Sequence, residues 1–354
     1  MNDILIYGAN GYTALLILDL LAGSAVRPIL AGRSAPAIEA LAKRHGLPWR
    51  AFALDDEAAI ARGLEGVGVV LNCAGPFART AQPMAMGCLR AGAHYLDITG
   101  EIEVFERMAA LGRKADAAGV MLMPGTGFDV VPSDCLAAHL KRRLPDATRL
   151  TLAFHAIGRP SHGTATTMVE NLHRGGAVRR GGKIVPVPPA WRQRDIDFGE
   201  GPRTAMTIPW GDVATAWHST HIPDIEVFMV APAQLRFLSR AARFAGPLLG
   251  SGPVQRLLKR QIDAAPAEPD AAARARGRSL LWGEAANAAG TVVTSRLATV
   301  EGYTLTALTA LMIVEKILGG EFCAGFQTPA KCYGADLILE IEGNRREIVG
   351  ATSA

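Results

Sequence analysis

Residues 4–14 read Ile4-Leu5-Ile6-Tyr7-Gly8-Ala9-Asn10-Gly11-Tyr12-Thr13-Ala14. The first four form a short apolar run that Gly8 ends, which is typical of a strand buried on both faces. A leucine-rich segment, residues 13–22, follows and stops at Gly23, as expected of a helix that ends at a glycine. The stretch therefore predicts a buried strand, a glycine-rich turn and a helix.

The same alternation of strand and helix continues to about residue 125. Further strands are predicted at 26–32, 51–54, 67–71, 94–98 and 120–123. Helices are predicted to begin at Ser34, at Asp55-Asp56 and near Ile102. Strands that alternate with helices at this spacing indicate βαβ units and a parallel sheet. We therefore predict an α/β domain with a Rossmann-type, doubly wound parallel sheet over residues 1–125.

The pattern changes after Pro124. Strand-like runs at 150–157 and 225–230 are separated by turns rich in glycine and proline, and residues 264–278 read as a surface loop. We predict a second, α+β domain whose sheet is mostly antiparallel.

Bulk composition excludes several classes of protein. A hydrophobic content of 49% and a net charge of +4 over 354 residues exclude global disorder and do not demand a nucleic-acid partner. The five cysteines show no Cys-x-x-Cys spacing, so neither a metal site nor a disulfide framework is predicted. Without a signal-like N-terminus or a long apolar run, we expect a cytoplasmic protein that is at most peripheral to a membrane.

The turn after the first strand has the pattern G-x-x-G-x-x-A. Gly8 permits a tight turn, Gly11 lets backbone N–H groups approach a pyrophosphate, and the small Ala14 lets helix and strand pack closely. An ordinary βα turn is the alternative, but the position after the first buried strand favours nucleotide binding. The candidate cofactor-binding residues in this turn are Gly8, Asn10, Gly11, Tyr12 and Thr13.

The residues at the end of the second strand favour NADP(H) over NAD(H). Enzymes that use NAD place a carboxylate about 20 residues beyond the turn, to bind the ribose 2′-hydroxyl. This chain has Arg33-Ser34 there, a guanidinium and a hydroxyl that suit a 2′-phosphate. A solvated arginine at a strand end is the alternative.

Two further loops complete the predicted cofactor site. Ala74, Gly75 and Pro76 follow the fourth strand and are expected near the ribose and nicotinamide, because ligands lie at the carboxyl ends of parallel strands. Asp55 is a candidate adenine contact or, alternatively, a helix cap.

Polar residues after the fifth and sixth strands are the candidates for chemistry. A hydride transfer needs positioning and one proton donor, and Tyr95, Asp97 and Asp129 are predicted to lie at this edge of the sheet. The alternative is that such residues cap helices or bind loop amides. The substrate candidates are Phe77, His162, Thr164 and Asp212.

One segment, residues 235–262, combines arginines with large apolar residues. Arg236, Arg240 and Arg243 share a helical face, and acidic residues are absent until Asp263. Such a helix can lie on an anionic membrane or cover a groove through which a lipid enters. Packing on the core or on a second subunit is the alternative.

Motifs along almost the whole chain resemble the saccharopine-dehydrogenase-like oxidoreductases, in the branch that includes the trans-acting enoyl reductases. The motifs that carry this resemblance are Gly8-Ala9-Asn10-Gly11-Tyr12-Thr13, Asn72-Cys73-Ala74-Gly75-Pro76-Phe77, His94-Tyr95-Leu96-Asp97-Ile98-Thr99-Gly100-Glu101, Gly127-Phe128-Asp129-Val130-Val131-Pro132-Ser133-Asp134, Ser161-His162-Gly163-Thr164-Ala165-Thr166, Pro209-Trp210-Gly211-Asp212-Val213 and Gly325-Phe326-Gln327-Thr328-Pro329-Ala330. Two departures are Ala14 in place of the third glycine, and His221 where the family has glycine.

The resemblance implies an NADP-binding domain, a substrate and dimerisation domain at 126–325, and a C-terminal segment, 326–354, that returns to the first domain. It also implies a homodimer. We predict an NADPH-dependent reductase that acts on a small molecule, with C=C reduction of an apolar or lipid-like substrate favoured. The alternatives are saccharopine-type C=N or secondary-amine chemistry, and a redox sensor that binds NADP without turnover.

Overall fold

The computed structural model describes residues 3–24, 26–157, 175–237 and 270–352, with isolated positions at 239, 240, 251, 252, 254, 256 and 260. The chain folds into two compact units, Met1–Val131 with Tyr303–Gly334, and Pro132–Gly302 with Ala335–Ala354. The predicted boundaries differ from these. Residues 303–325 belong to the first unit, and residues 335–354 belong to the second.

Strands and helices are numbered in chain order over the described residues. The strands are β1 (Asp3–Tyr7), β2 (Ile29–Gly32), β3 (Trp49–Ala51), β4 (Val67–Asn72), β5 (His94–Asp97), β6 (Met121–Met123), β7 (Arg149–Ile157), β8 (Gly176–Arg180), β9 (Lys183–Val187), β10 (Gln193–Asp197), β11 (Pro202–Thr207), β12 (Asp224–Val230), β13 (Arg278–Ala286), β14 (Val292–Val300), β15 (Gly325–Phe326) and β16 (Arg345–Thr352). The helices are α1 (Tyr12–Leu20), α2 (Ala35–His45), α3 (Glu57–Gly63), α4 (Phe77–Ala91), α5 (Ile102–Ala110), α6 (Gly112–Ala117), α7 (Val131–Arg143), α8 (Asp212–Thr220), α9 (Ala271–Arg276), α10 (Gly302–Leu318) and α11 (Pro329–Tyr333).

The first unit is built on a parallel sheet. Within the described ranges its seven strands follow the order β15-β6-β5-β4-β1-β2-β3, and every neighbouring pair is parallel. Continuous apolar runs form β1, β2 and β4 because helices cover both faces of such a sheet, and each of these strands is buried. The predicted doubly wound α/β domain is confirmed.

Local sequence explains the helix ends in this unit. Helix α2 starts after Ser34, as predicted, has proline in its first turn and ends at Gly46 in the left-handed conformation. Helix α3 is capped by Asp56, whose carboxylate accepts from the amides of Ala58 (2.9 Å) and Ala59 (3.1 Å). The third strand lies at 49–51 rather than 51–54, because residues 52–54 lead toward this cap.

The second unit contains a mixed, mostly antiparallel sheet, as predicted. Over the described residues the sheet has nine strands. Seven follow the order β10-β11-β12-β7-β13-β14-β16, and β8 and β9 branch from β12. Only the pairing of β12 with β7 is parallel among the strand pairs that the structure describes in this sheet. Residues 278–286 form β13, so the end of the predicted 264–278 loop is a strand.

His221 ends helix α8 in a conformation that favours glycine. Its φ is 56°, and its amide donates to the carbonyl of Trp217 at 2.8 Å. The imidazole lies edge-on to the indole of Trp217, with ring centroids 5.5 Å apart. The chain therefore keeps the left-handed helix end although it lacks the glycine that the resemblance leads one to expect there.

Candidate nucleotide-binding and reductase site

The turn between β1 and α1 is a close backbone crossing. Gly8 has a φ of 78°, and a Cβ atom at this position would lie 2.8 Å from the amide nitrogen of Ala74. The amides of Gly8 and Ala9 donate to the carbonyl of Ala31 at 2.8 and 3.1 Å. Only glycine satisfies both the backbone conformation and the contact with Ala74, so Gly8 fixes the two loops against each other.

The N-terminus of helix α1 has no side-chain cap. Gly11 is the N-cap residue and has no side chain to bond the first turn, and that turn holds no acidic residue. The partial positive charge of a helix N-terminus and the N–H groups that point out of it favour an anion. Glycine suits this position, because a Cβ there would lie 3.2 Å from the carbonyl oxygen of Gly8.

The polar residues at the ends of β2 and β3 lie around the hydroxyl of Tyr7. Arg33, Ser34 and Asp55 are exposed, and the charges of Arg33 and Asp55 both act on Tyr7. Burial raises the pKa of Tyr7 to about 12, and its hydroxyl donates to the carbonyl of Phe52 at 2.9 Å. Because Asp56 caps α3, the helix-cap alternative for Asp55 is wrong, and its role as an adenine contact stays a prediction.

Three side chains hold the loop after β4. The Oδ1 atom of Asn72 accepts from the amide of Ala74 at 3.1 Å, and the hydroxyl of Thr80 donates to the carbonyl of Ala74 at 2.6 Å. Both oxygens of Glu101 accept from main-chain amides, those of Phe77 and Ala78, at 2.9 Å each. The peptide between Gly75 and Pro76 is cis. Ala74, Gly75 and Pro76 are therefore fixed beside the Gly8 turn, where the sequence predicted a cofactor loop.

Phe77 begins helix α4 and is partly buried. Its side chain packs on the core of the first unit, and its ring lies 3.8 Å from where a Gly75 Cβ would be. Its role as a substrate contact stays a prediction.

Tyr95 and Asp97, two of the predicted catalytic residues, are fully buried. The Tyr95 hydroxyl donates to Oδ2 of Asp97 at 2.7 Å, and Oδ1 of Asp97 accepts from the amides of Thr99 (3.0 Å) and Gly125 (2.9 Å). Burial raises the pKa of Asp97 to about 6, although these hydrogen bonds oppose the shift. The hydrogen bonds of Asp97 position the loops that contain Thr99 and Gly125, and the catalytic role of Tyr95 and Asp97 stays a prediction.

Asp129 lies in a different environment at the same edge of the sheet. Asp129 is half-buried as a residue, and its carboxylate packs against the backbone of Gly100, where an added Cβ would lie 2.6 Å from its Oδ2 atom. Desolvation raises the pKa of Asp129 to about 7. It is the predicted catalytic residue that combines partial exposure with a pKa suited to proton transfer near neutral pH.

Helix α10 contributes residues that sequence reasoning missed. The ring of Tyr303 packs edge-on against Tyr12 of the nucleotide turn, with centroids 5.3 Å apart. The hydroxyl of Thr306 accepts from the amide of Phe128 at 3.0 Å, next to Asp129. No local pattern signals these contacts, because they join segments separated by well over 100 residues.

Asp212, a predicted substrate contact, is fully buried in the second unit. Its Oδ1 atom accepts from the hydroxyl of Ser133 at 2.7 Å, and Ser219 donates in turn to Asp134. These two pairs link helices α7 and α8, so the structure corrects Asp212 to a structural role. His162 and Thr164 lie outside the described residues.

The cationic segment at 235–262 is described only in part. Leu235 packs on a small apolar cluster, and Arg236 donates to the carbonyl of Ala231 at 2.6 Å. Phe237 is 75% exposed. Arg243 lies outside the described residues, so the predicted arginine face is not tested.

The described residues hold neither a metal cluster nor a membrane span. No group of histidine, cysteine or acidic side chains in that part of the chain could bind a metal ion. Across the same residues no helix is long and apolar enough to cross a membrane.

Comparison with known families accounts for the first unit. Residues 4–123 match the family model of the saccharopine dehydrogenase NADP binding domain. The match confirms the predicted resemblance, and the NADP in the family's description agrees with the predicted cofactor.

Relatives of known name are reductases. The chain is 34% identical over 150 residues to a trans-acting enoyl reductase of Mycobacterium leprae (strain TN). The aligned region covers 40% of this chain and 36% of that protein. It is 28% identical over 222 residues to a trans-acting enoyl reductase of Mycobacterium ulcerans (strain Agy99). That alignment covers 58% of this chain and 53% of the relative. The alignments thus span about a third to a half of these relatives. Their names agree with the predicted oxidoreductase class.

A solved structure resembles the chain from end to end. Apo saccharopine dehydrogenase (L-Glu forming) from Saccharomyces cerevisiae superimposes with a TM-score of 0.67, at 12% identity, over 99% of this chain and 100% of that one. The likeness confirms the fold and says nothing of the substrate.

The described geometry of the first unit fits an NADP cofactor. The N-terminus of α1 without a side-chain cap and the Gly8 crossing suit a pyrophosphate, and exposed Arg33 and Ser34 suit a 2′-phosphate. The residues that the sequence predicts to hold NADP(H) stay a prediction, and they are Gly8, Asn10, Gly11, Tyr12, Thr13, Arg33, Ser34, Asp55, Ala74, Gly75 and Pro76.

Proposed function

We propose that the chain is an NADPH-dependent oxidoreductase that reduces a C=C bond of an apolar or lipid-like substrate. One observation carries the reductase part of the proposal. At the edge of the sheet where the nucleotide turn lies, Asp129 is a half-buried acid whose pKa is raised to about 7. A bound nicotinamide supplies a hydride, and such a reduction also needs a proton at the neighbouring carbon.

Asp129 supplies that proton in the proposed reaction. Its carboxyl group is protonated in a large fraction of molecules near neutral pH, whereas an ordinary aspartate is not. Tyr95, Asp97 and Thr99 hold the loop that leads to Gly100, and Thr306 bonds the amide beside Asp129. The acid is thus placed by a rigid set of hydrogen bonds, which favours transfer to one position of a substrate.

The choice of a C=C bond rests on the relatives. Both relatives described above carry the name trans-acting enoyl reductase, whereas the likeness to saccharopine dehydrogenase is one of fold at 12% identity. The alternative of saccharopine-type C=N or secondary-amine chemistry would use the same cofactor turn and the same acid. A sensor that binds NADPH without turnover would use the turn alone.

The lipid-like character of the substrate and a peripheral membrane contact are linked proposals. The exposed ring of Phe237 in an arginine-containing segment supports them. Flotation with anionic vesicles at low salt tests the contact. Binding that disappears in Phe237→Ser supports it, and protein that stays at the bottom of the gradient contradicts it.

Turnover assays separate the three functions. NADPH consumption is measured with 2-enoyl thioesters of increasing chain length, and separately with a 2-oxo acid plus lysine. Consumption that grows with acyl length supports the proposal. Consumption only with the oxo acid and amine supports C=N chemistry, and NADPH binding without consumption supports the sensor.

The Asp129→Asn variant tests the proton donor. We expect kcat to fall about 100- to 10,000-fold, because a positioned general acid contributes about this factor. In the unsubstituted enzyme, kcat should fall as pH rises through about 7, since Asp129 then loses the proton that it donates. The fall of kcat with rising pH should be absent in the Asp129→Asn variant. A matched control is Asp116→Asn, in helix α6 of the same unit.

An Asp129→Asn variant that keeps the rate and the pH profile would remove Asp129 from the mechanism. NADPH affinity is measured alongside, because a misfolded variant would lose binding as well as turnover. Gly100→Ala is a second probe, since its new methyl group would push the Asp129 carboxylate from its place.

A further inference from the structure

Two cysteines that the sequence separates are brought together in the first unit. The Sγ atoms of Cys323 and Cys332 lie 2.8 Å apart, and both residues are free thiols. Both are half-buried rather than enclosed. Their spacing of nine positions fits no redox or metal motif, which is why the sequence signalled nothing at these positions.

Secondary structure and side-chain bonds hold the two thiols in this arrangement. Cys332 lies in helix α11, which Thr328 caps by accepting from the amide of Lys331 at 3.3 Å. Cys323 precedes strand β15, which pairs with β6. Across the gap, the Tyr333 hydroxyl donates to the carbonyl of Glu321 at 2.9 Å. The approach of the thiols therefore follows from the fold of residues 321–333.

Small molecules can reach this pair. Glu321, Phe322 and Lys331 are exposed on either side of it. The ring of Phe322 packs on His94 with centroids 4.3 Å apart, which keeps the loop that carries Cys323 on the surface of the unit.

We propose that Cys323 and Cys332 form a dithiol site that undergoes thiol–disulfide exchange with low-molecular-weight disulfides such as oxidised glutathione. The Cys323 thiolate attacks one sulfur of the small disulfide, breaks its S–S bond and releases one thiol. The Cys332 sulfur then attacks Cys323, breaks the mixed disulfide and releases the second thiol. The two protein thiols are oxidised, the small disulfide is reduced, and the two thiol protons end on the released thiols.

The order of the two steps follows from the environment of Cys332. Burial and the hydrogen bond to the Cys323 sulfur raise the pKa of the Cys332 thiol, so it is a poor nucleophile toward a molecule in solution. Its 2.8 Å approach makes it the resolving thiol, because an intramolecular attack benefits from proximity.

Peptide mapping of the whole protein tests the site. Lys331 lies between the two cysteines, so trypsin separates residues 317–331, which carry Cys323, from residues 332–345, which carry Cys332. The protein is incubated with oxidised glutathione, its free thiols are alkylated, and it is denatured and digested without reductant. We expect the two peptides to stay joined by a disulfide and to separate after reduction.

Single variants define the order of attack. Cys332→Ser should accumulate a glutathione adduct at Cys323, whereas Cys323→Ser should give neither the adduct nor the linked peptides. Cys73→Ser, which removes another half-buried thiol of the same unit, should leave the link intact. Separately alkylated peptides after oxidation, or a lasting glutathione adduct on the unsubstituted protein, would overturn the proposal.

Discussion

Helices α1 and α4 begin at the same edge of the same sheet, after the neighbouring parallel strands β1 and β4. The N-terminus of α1 has a glycine cap and no acidic residue in its first turn. The N-terminus of α4 is closed by Glu101, whose two oxygens accept from the amides of Phe77 and Ala78 at 2.9 Å. The two helices show that backbone geometry creates two anion sites, and that one carboxylate decides which of them remains for a ligand.

An acidic residue placed at the uncapped N-terminus of α1 should make it resemble the N-terminus of α4, where Glu101 binds the amides. In Thr13→Asp the carboxylate lies in the first turn of α1, where it should repel a phosphate. Because two charges a few ångströms apart near a protein surface interact by roughly 2–4 kcal/mol, we expect NADPH to bind about 100-fold more weakly. The stability of the free protein should not fall, since an acid at this position favours the helix dipole. Titration calorimetry and chemical denaturation measure the two effects.

The matched control for this change is Thr13→Asn, which has nearly the same shape without the charge. It should keep most of the NADPH affinity. Equal losses in the two variants would show that shape, and not charge, governs the site.

The second change tests which nucleotide binds near the N-terminus of α1, NADPH or NADH. Arg33→Ala should weaken NADPH binding by about 10- to 100-fold, because hydrogen bonds to charged groups contribute about 1.5–3 kcal/mol. NADH binding should stay the same, since NADH has no 2′-phosphate. Dissociation constants for both nucleotides in both proteins provide the measurement. Equal affinities for NADPH and NADH in the unsubstituted protein would end the NADP preference.

The third change weakens the cap that Glu101 forms at the N-terminus of α4. Glu101→Gln leaves one oxygen for two amides and removes the charge, so we expect a loss of about 1–2 kcal/mol in the free energy of unfolding. Chemical denaturation of the nucleotide-free protein measures it. The control is Glu103→Gln, whose side chain is 63% exposed in its pair with Arg107 and should lose under about 0.5 kcal/mol.

If the free energy of unfolding falls by the same small amount in Glu101→Gln and Glu103→Gln, Glu101 does not cap α4. A Glu101→Gln variant that instead loses NADPH affinity by as much as Arg33→Ala would show that the two helix ends act as one site.

The fold of the first unit was largely predictable, for a local reason. Apolar runs such as Ile4–Tyr7 and the glycine turn after it report burial and backbone conformation within a few residues of themselves. Strand β15 was missed because two residues, Gly325 and Phe326, give no periodic signal, and it exists only through pairing with β6. The unit boundaries at Tyr303 and Gly334 depend on the same long-range packing.

The sequence predicted where the candidate site lies in the fold. It did not predict which role each residue has there. Tyr95 and Asp97 lie in β5 and Asp129 follows β6, and the three residues looked equivalent in the sequence. Burial separates them, since Asp97 binds three groups of its own protein while Asp129 keeps an exposed surface. Exposure depends on what packs above each side chain, and the sequence does not record that.

By itself, the sequence determined the doubly wound domain, the nucleotide turn and Arg33-Ser34 at the place of the ribose, because short segments carry these features. Tertiary structure decided that Glu101 closes α4, that Tyr95 and Asp97 position a loop, and that Cys323 meets Cys332. The physical reason is the same in each case. Hydrogen bonds, burial and thiol contacts depend on distances in space and on what packs around each side chain, and both are set only when the chain folds.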